Sequence, residues 1–270
     1  QALQSSSIPS QIKEGITCTV CHSSTGLSST YFASDDLAPH AEYHLYPGEG
    51  VYFGSIENPN SSMYHEAEYS PMFERSEMCL PCHDFVMRDV EAEITFTEWN
   101  RIPGFSMFGG VSCQECHMPV KENGYHDHRF IGVDMDLAIS IDENPLYEEV
   151  SNLLSNAAEI SFEIENDSLI DSVNAGNLLN IPISVKSLTA HSLPSGTSFN
   201  RESWLELIVY NNDGIIFSSG VVQNDMSLDG QDENLLLFTS YMYNQDGEIT
   251  DNITEIDSLA NCSLLAYQER

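Results

Sequence analysis

Three copies of one five-residue pattern constrain this chain more than any other feature. The pattern is Cys-x-x-Cys-His, and it occurs at 18–22, 79–83 and 113–117. Two thiols three positions apart on one turn can each add to a vinyl group of the same porphyrin, and the histidine that follows can bind its iron. The chain is therefore predicted to carry three covalent haem c groups. The predicted attachment residues are Cys18, Cys21, Cys79, Cys82, Cys113 and Cys116, and the adjacent iron ligands are His22, His83 and His117.

Zinc sites and redox-active dithiols are the alternatives for paired cysteines. Neither needs a histidine directly after the second cysteine. The chain has nine histidines in 270 residues, so three such placements by chance have odds on the order of one in 30,000. Three pairs also divide poorly into sites of four ligands. The seventh cysteine, Cys262, stands apart and is expected to be a free or buried thiol, with an intermolecular disulfide as the alternative.

Each iron needs a second ligand on its other face, and the remaining histidines are the obvious supply. They are His40, His44, His65, His126, His128 and His191. A second histidine leaves no open position on the iron, which favours electron transfer over catalysis. Methionine is the other common choice, but Met118 follows the third motif too closely to reach the opposite face. His40 and His44 are four positions apart and would share one face of a helix, if a helix forms there.

The charge of the chain excludes some partners. The formal net charge is -33, from 42 acidic and 9 basic residues, so neither nucleic acid nor an anionic bilayer is an expected partner. No apolar run approaches the roughly 18–20 residues that span a membrane. The polar first residues are typical of a mature N-terminus after export. We expect an exported protein that is extracellular or at the cell surface, and otherwise periplasmic.

The pattern of apolar residues divides the chain into three parts and predicts an α+β fold. Residues 1–142 form a trihaem cytochrome domain, rich in loops with short helices, in which haems replace a conventional core. Residues 143–158 form a linking helix, with Asn144 as its cap and Pro145 in the first turn. Residues 159–270 form a β-sandwich of about seven strands, with a hairpin turn at Asp213-Gly214.

Several short segments resemble those of one protein family. They are Tyr64–Pro71, Glu98-Trp99, Cys116–Pro119, His128–Gly132, His191–Gly196 and Arg201–Leu207, together with Gly15–Thr17 and Gly110–Ser112 before two of the motifs. In these segments the chain resembles exported multihaem c-type cytochromes that have a C-terminal β-sandwich and are related to the subunits of extracellular cytochrome filaments. The resemblance implies closely stacked haems with two histidines each, and it implies that His65, His128 and His191 are the second ligands. Many family members have four or more motifs, whereas this chain has three.

Electron transfer is the predicted function, and the chain is not expected to be an enzyme. In one version the protein is a filament subunit that binds copies of itself head to tail, and His44 binds a haem of the next subunit. In the other version it is a soluble periplasmic shuttle. Its further partners would be redox proteins or an extracellular electron acceptor. A multihaem oxidoreductase with one open haem is a third possibility, although nine basic residues supply an anion site poorly. A binding module with structural haems is the least favoured.

Overall fold

Short elements and long connections make up the first part of the molecule. The computed structural model describes residues 15–27, 41–102, 104, 110–162, 174–222 and 232–266, apart from positions 47, 49, 137, 175, 178 and 179. The helices are α1 (Cys18–His22), α2 (Leu80–His83), α3 (Thr95–Asn100), α4 (Cys113–His117) and α5 (Tyr147–Ser155). The strands before α5 are β1 (Ser24–Leu27), β2 (Tyr43–Leu45), β3 (Val51–Gly54), β4 (Glu66–Tyr69), β5 (Phe85–Met87) and β6 (Val90–Glu93).

The cysteine motifs coincide with three of these helices, because each motif forms a single turn. α4 has the strongest local signal: the Ser112 hydroxyl accepts from the Glu115 backbone, and the Glu115 carboxylate accepts from the Ser112 backbone. In the same part of the chain β1 pairs with β2 and β5 pairs with β6, both antiparallel, while β3 and β4 are parallel. His44 lies on strand β2 rather than on a helix, and His40 lies outside the described residues.

The linking helix is shorter than predicted. α5 covers Tyr147–Ser155 and not 143–158, because Asn144 forms a turn of its own before the helix begins. Its side-chain oxygen accepts from the Leu146 backbone at 3.1 Å. Val150, at 2% exposure, is the buried residue of α5. Strand pairing begins immediately beyond the helix, at Ala158.

The last part of the chain consists of paired strands. They are β7 (Ala158–Phe162), β8 (Ile183–Ser187), β9 (Ser203–Leu205), β10 (Leu207–Asn211), β11 (Gly214–Ser219), β12 (Leu236–Phe238), β13 (Ser240–Tyr243) and β14 (Ser258–Asn261). The predicted hairpin at Asp213-Gly214 is confirmed as the β10–β11 pair. At the end of β11, Gly220 has a φ of +71°, and a Cβ there would lie 2.3 Å from the Leu205 carbonyl oxygen, so only glycine fits.

The predicted β-sandwich is not confirmed. Among the described residues the strands pair in twos, as β7–β8, β9–β12, β10–β11 and β13–β14. Apolar side chains on β11 are exposed to solvent: Ile215 is 65% exposed and Ile216 is 64% exposed. Alternating or continuous apolar residues indicate strands, but they do not determine whether a second sheet covers them.

Two small apolar clusters form the core of the described residues. One contains Ala41, Leu80 and Phe96, with Trp99 packed against it. The other contains Ala92 on β6, Met242 on β13 and Ile256, all at 2% exposure or less. The second cluster therefore joins the motif-bearing part of the chain to the strand-rich part. Among the described residues, no helix is both long and apolar enough to cross a membrane.

Candidate haem-binding site

The three cysteine motifs lie close together. The thiols of Cys79 and Cys113 are hydrogen-bonded, and this bond lowers the pKa of Cys113 to about 7. On the other side of the second motif, Cys82 lies near enough to Cys21 to contribute, after burial, to the raised pKa of the Cys21 thiol. The second motif is therefore close to both the first and the third. All six thiols are free of disulfides, as thiols that add to porphyrin vinyl groups must be.

Each motif histidine is oriented through its Nδ1 atom. Nδ1 of His22 lies 2.6 Å from the carbonyl oxygen of Phe53, and Nδ1 of His117 lies 2.6 Å from that of Ile131. A carbonyl oxygen can only accept, so Nδ1 must carry the proton in both rings. Nε2 is then left with its lone pair, which is the arrangement that metal-binding histidines adopt.

His83 differs from the other two, because its Nδ1 meets a carboxylate. Nδ1 lies 2.8 Å from Oε1 of Glu93, whose side chain is 6% exposed. The hydrogen bond to Glu93 raises the pKa of His83, and burial opposes the rise. As in the other two motifs, Nε2 is the nitrogen left for a metal.

Two further histidines lie opposite motif histidines. The ring centres of His22 and His128 are 6.0 Å apart, and those of His117 and His191 are 6.3 Å apart. A metal-bound nitrogen lies about 2 Å from the metal and the imidazole centre about 1 Å behind it, so two rings on opposite faces of one iron have centres about 6 Å apart. Both pairs have the separation that a shared iron requires.

A buried carboxylate fixes the loop that carries His128. Asp127, at 2% exposure, accepts from the Arg129 backbone at 2.9 Å and from the Arg129 guanidinium at 2.7 Å. These bonds hold the pKa of Asp127 well below its usual range. Arg129 also donates to Glu149 of α5 at 2.8 Å. Nδ1 of His128 bonds to the carbonyl oxygen of His126 at 2.9 Å, which frees Nε2.

A second buried carboxylate fixes the turn that carries His191. Oε2 of Glu98 on α3 accepts from the Ser192 backbone at 3.1 Å and from the Ser195 hydroxyl at 2.7 Å. Nδ1 of His191 bonds to the carbonyl oxygen of Ser192 at 2.9 Å. Burial lowers the pKa of His191, so the ring is neutral at pH 7 and its Nε2 can act as a ligand. A helix of the motif-bearing part thus positions a histidine of the strand-rich part.

Three other histidines are described, and none of their rings contacts a motif histidine ring. His65 precedes β4 and meets Tyr52 edge to face with ring centres 5.0 Å apart. His44 faces strand β1, where its partner in the register is Gly26. His126 was one of the six spare histidines but was not assigned to an iron; its Nδ1 bonds to the carbonyl oxygen of Met118 at 2.6 Å, which leaves Nε2 free. In the part of the chain that the structure describes, no histidine ring lies opposite His83.

The side chains around the motifs fit haem as the bound group. The donors are thiols and Nε2 atoms, and the surrounding surface includes apolar side chains that the described protein leaves uncovered. Examples are Ile16 at 74%, Tyr64 at 87% and Phe130 at 59% exposure. Phe130 also has a positive φ of 51° and lies edge to face with the His128 ring. A strained, exposed aromatic beside a candidate ligand is typical of a functional site.

Comparisons with known proteins support this kind of fold. No family model and no curated protein matches the chain. The chain is similar to the crystal structure of a penta-heme cytochrome c552 from Thermochromatium tepidum, with a TM-score of 0.60 and 18% sequence identity. The similarity covers 95% of this chain and 64% of that one. The coarser part of the prediction, a multihaem cytochrome-like fold, is confirmed.

One side chain of the candidate site was not predicted from the sequence. Glu93 is one of 42 acidic residues, and no sequence signal distinguishes it before β5 and β6 pair and bring it to His83. His126 was counted among the six spare histidines, but it was not assigned to an iron. The assignment of His65, His128, His191 and His44 as second ligands stays a prediction, although two of them now have a motif histidine opposite.

Proposed function

We propose that this chain carries three covalently attached haem c groups and transfers electrons between them. The observation that supports this most directly is the spacing of His22 from His128 and of His117 from His191, about 6 Å between ring centres. Haem c, when bound, supplies an iron that alternates between the ferric and ferrous states. It also supplies apolar bulk to a region with a small core.

The residues of the chain would divide this work among them. The six motif cysteines would tether the porphyrins, and His22, His83 and His117 would bind iron through Nε2. His128 and His191 would occupy the opposite faces at the first and third motifs. Backbone carbonyls and Glu93 orient the three motif imidazoles through their Nδ1 atoms. Because the motifs are close together, the haems that they would hold would be neighbours.

The protein is proposed to be an electron carrier and not an enzyme. Two histidines per iron would leave no position for a substrate. The alternative, a multihaem oxidoreductase with one open haem, keeps one specific observation in its favour, since no described histidine ring lies opposite His83. Binding of carbon monoxide to the reduced protein distinguishes the two functions. The electron carrier binds none, whereas an open haem binds one equivalent.

Mass measurement tests the haem count. The full chain, produced in a host that matures c-type cytochromes, should exceed its peptide mass by three haems after acid–acetone extraction. Extractable haem, or zinc in its place, would overturn the proposal. The resting protein should be low-spin throughout, as histidine on both faces of every iron requires.

We further propose that the protein is exported and assembles head to tail into an extracellular filament. Five described histidines lie outside the motifs, namely His44, His65, His126, His128 and His191, whereas three irons need only three second ligands. A surplus histidine, His44 in our proposal, would bind a haem of the next subunit. The alternative is a soluble periplasmic shuttle.

Electron microscopy tests the filament. The net charge of -33 opposes assembly until salt or divalent cations screen it, over about 10 Å at 0.1 M. Filaments should therefore form at high ionic strength or with divalent cations and disappear in the His44→Ala variant. Single particles under every condition, with all irons six-coordinate, would favour the shuttle.

A further inference from the structure

The second motif histidine has a different hydrogen-bond partner from the other two. His22 and His117 donate to the neutral carbonyl oxygens of Phe53 and Ile131, both at 2.6 Å. His83 donates to the Glu93 carboxylate at 2.8 Å. The three Cys-x-x-Cys-His motifs therefore differ in the group that accepts the Nδ1 hydrogen bond of the histidine.

The negative charge of Glu93 acts on His83 without a nearby cationic side chain to neutralise it. Glu93 ends β6 and is 6% exposed. Oε1 is 3.5 Å from the position that a Cβ would take on Gly196, and the other charged residues that line the same cavity, Asp89, Glu91, Glu98 and Asp257, are all acidic. Among the described residues, neither lysine nor arginine forms an ion pair with Glu93. A buried charge without a cationic partner is weakly screened.

Two physical effects of Glu93 have the same sign. A carboxylate draws the Nδ1 proton more strongly than a carbonyl does, so Nε2 becomes a more basic ligand. The negative charge also favours whichever oxidation state of the iron is more positive. Both effects stabilise the ferric form relative to the ferrous form, and both lower the reduction potential.

We propose that Glu93 makes the haem held by His83 the lowest in potential of the three. This inference rests on the proposed function, since it requires haem at all three motifs. Electrons that enter the protein should then occupy the other two haems first and the haem at the second motif last.

The test is a spectroelectrochemical titration of Glu93→Gln against the unchanged protein. Glutamine has nearly the same shape and keeps an oxygen that can accept from His83, so only the charge is lost. One of the three potentials should rise by at least a tenfold change in its reduction equilibrium, about 59 mV for one electron. The matched control is Glu91→Gln, which removes the same charge from an exposed position on the same strand.

The haem count of each sample separates the two proposals. Fewer than three haems in the unchanged protein would contradict the proposed function. Three haems in every protein, with Glu93→Gln shifting no potential beyond the Glu91→Gln control, would overturn the role of Glu93.

The unchanged protein offers a second test that needs no variant. In an NMR-monitored stepwise reduction, the haem attached to Cys79 and Cys82 should be the last to be reduced. Its methyl resonances, identified by their proximity to these two cysteines, should therefore be the last to shift. If they change first, the order of potentials is wrong.

Discussion

Residues 15–142 and residues 158–266 are stabilised by different means. In the first, the buried groups include carboxylates such as Glu93 and Asp127 that bind specific partners, while many apolar side chains near the motifs are uncovered. In the second, backbone pairing between strands supplies most of the order, and Met242 and Ile256 are among its few buried apolar side chains. The first region is the one that would hold the proposed haems, whereas the second is ordered by its own hydrogen bonds.

Their contact surface explains why the two regions occur together. Glu98 holds the turn of His191, and the Thr95 hydroxyl bonds to the Ser195 hydroxyl at 2.8 Å. Arg88 donates to the carbonyl oxygen of Thr254 at 3.1 Å, and Met242 packs on Ala92. The strand-rich region thus supports β6 and α3, which follow the second motif, and contributes a candidate ligand of its own.

Removing one haem should produce the largest difference between the regions. We expect the Cys79→Ala/Cys82→Ala variant to carry two haems and to lose stability in residues 15–142, because a native crosslink typically contributes about 2–5 kcal/mol. Mass spectrometry and hydrogen exchange measure the two effects. The Cys262→Ala variant is the control, since that thiol is exposed and outside the motifs. Equal protection in both regions of the two-haem variant would show that haem is not what stabilises the first region.

A change in the strand-rich region should alter the spectrum of the motif-bearing region. We expect His191→Ala to convert one haem to high spin and to make it bind carbon monoxide, because the iron that His117 binds loses its second ligand. Absorption and EPR spectra of the oxidised and reduced protein measure this. The same substitution at His44 should leave the spectrum of the isolated subunit unchanged, because His44 is proposed to bind only a haem of the next subunit. An unchanged spectrum for His191→Ala would mean that this turn serves packing alone.

The carboxylate that joins the regions should have a smaller effect of the same kind. Glu98→Ala leaves the Ser192 N–H, in a residue 4% exposed, without its acceptor, at a cost of about 1–3 kcal/mol. We also expect a partial high-spin signal, because the turn no longer holds His191 against the iron. Glu98→Gln keeps an oxygen that can accept and should restore most of both losses. If Glu98→Gln and Glu98→Ala behave alike, the charge and not the hydrogen bond positions the turn.

The smallest effect is expected on the exposed hairpin. Ile215 is 65% exposed, so Ile215→Thr should change the free energy of unfolding by less than about 0.5 kcal/mol. Met242→Ala, at a site 1% exposed, should cost about 2–5 kcal/mol. Denaturant unfolding of both variants makes the comparison. A loss at Ile215 as large as that at Met242 would indicate that a second sheet covers the hairpin, as in the predicted sandwich.

The amino-acid sequence alone determined the features that depend on neighbours along the chain. A Cys-x-x-Cys-His segment brings two thiols and an imidazole together on one turn, whatever the rest of the protein does. The Asp213-Gly214 hairpin and the helix after Asn144 follow from equally local preferences, although the helix boundaries were set too wide. The number of motifs, and hence the predicted chemistry, could be counted without any structure.

Tertiary structure decided which distant residues meet. His128 lies opposite His22, and His191 opposite His117, across sequence separations that no local pattern reports. Glu93 reaches His83 only because β5 and β6 pair, and Glu98 reaches Ser192 only because the strand-rich region packs on α3. The sequence could not decide whether a β-sandwich forms. Alternating apolar residues indicate a strand, but which strand or sheet packs against it depends on long-range contacts. Such contacts depend on closing long loops around a common interior, and their energies come from burial and pairing that arise only when the whole chain is folded.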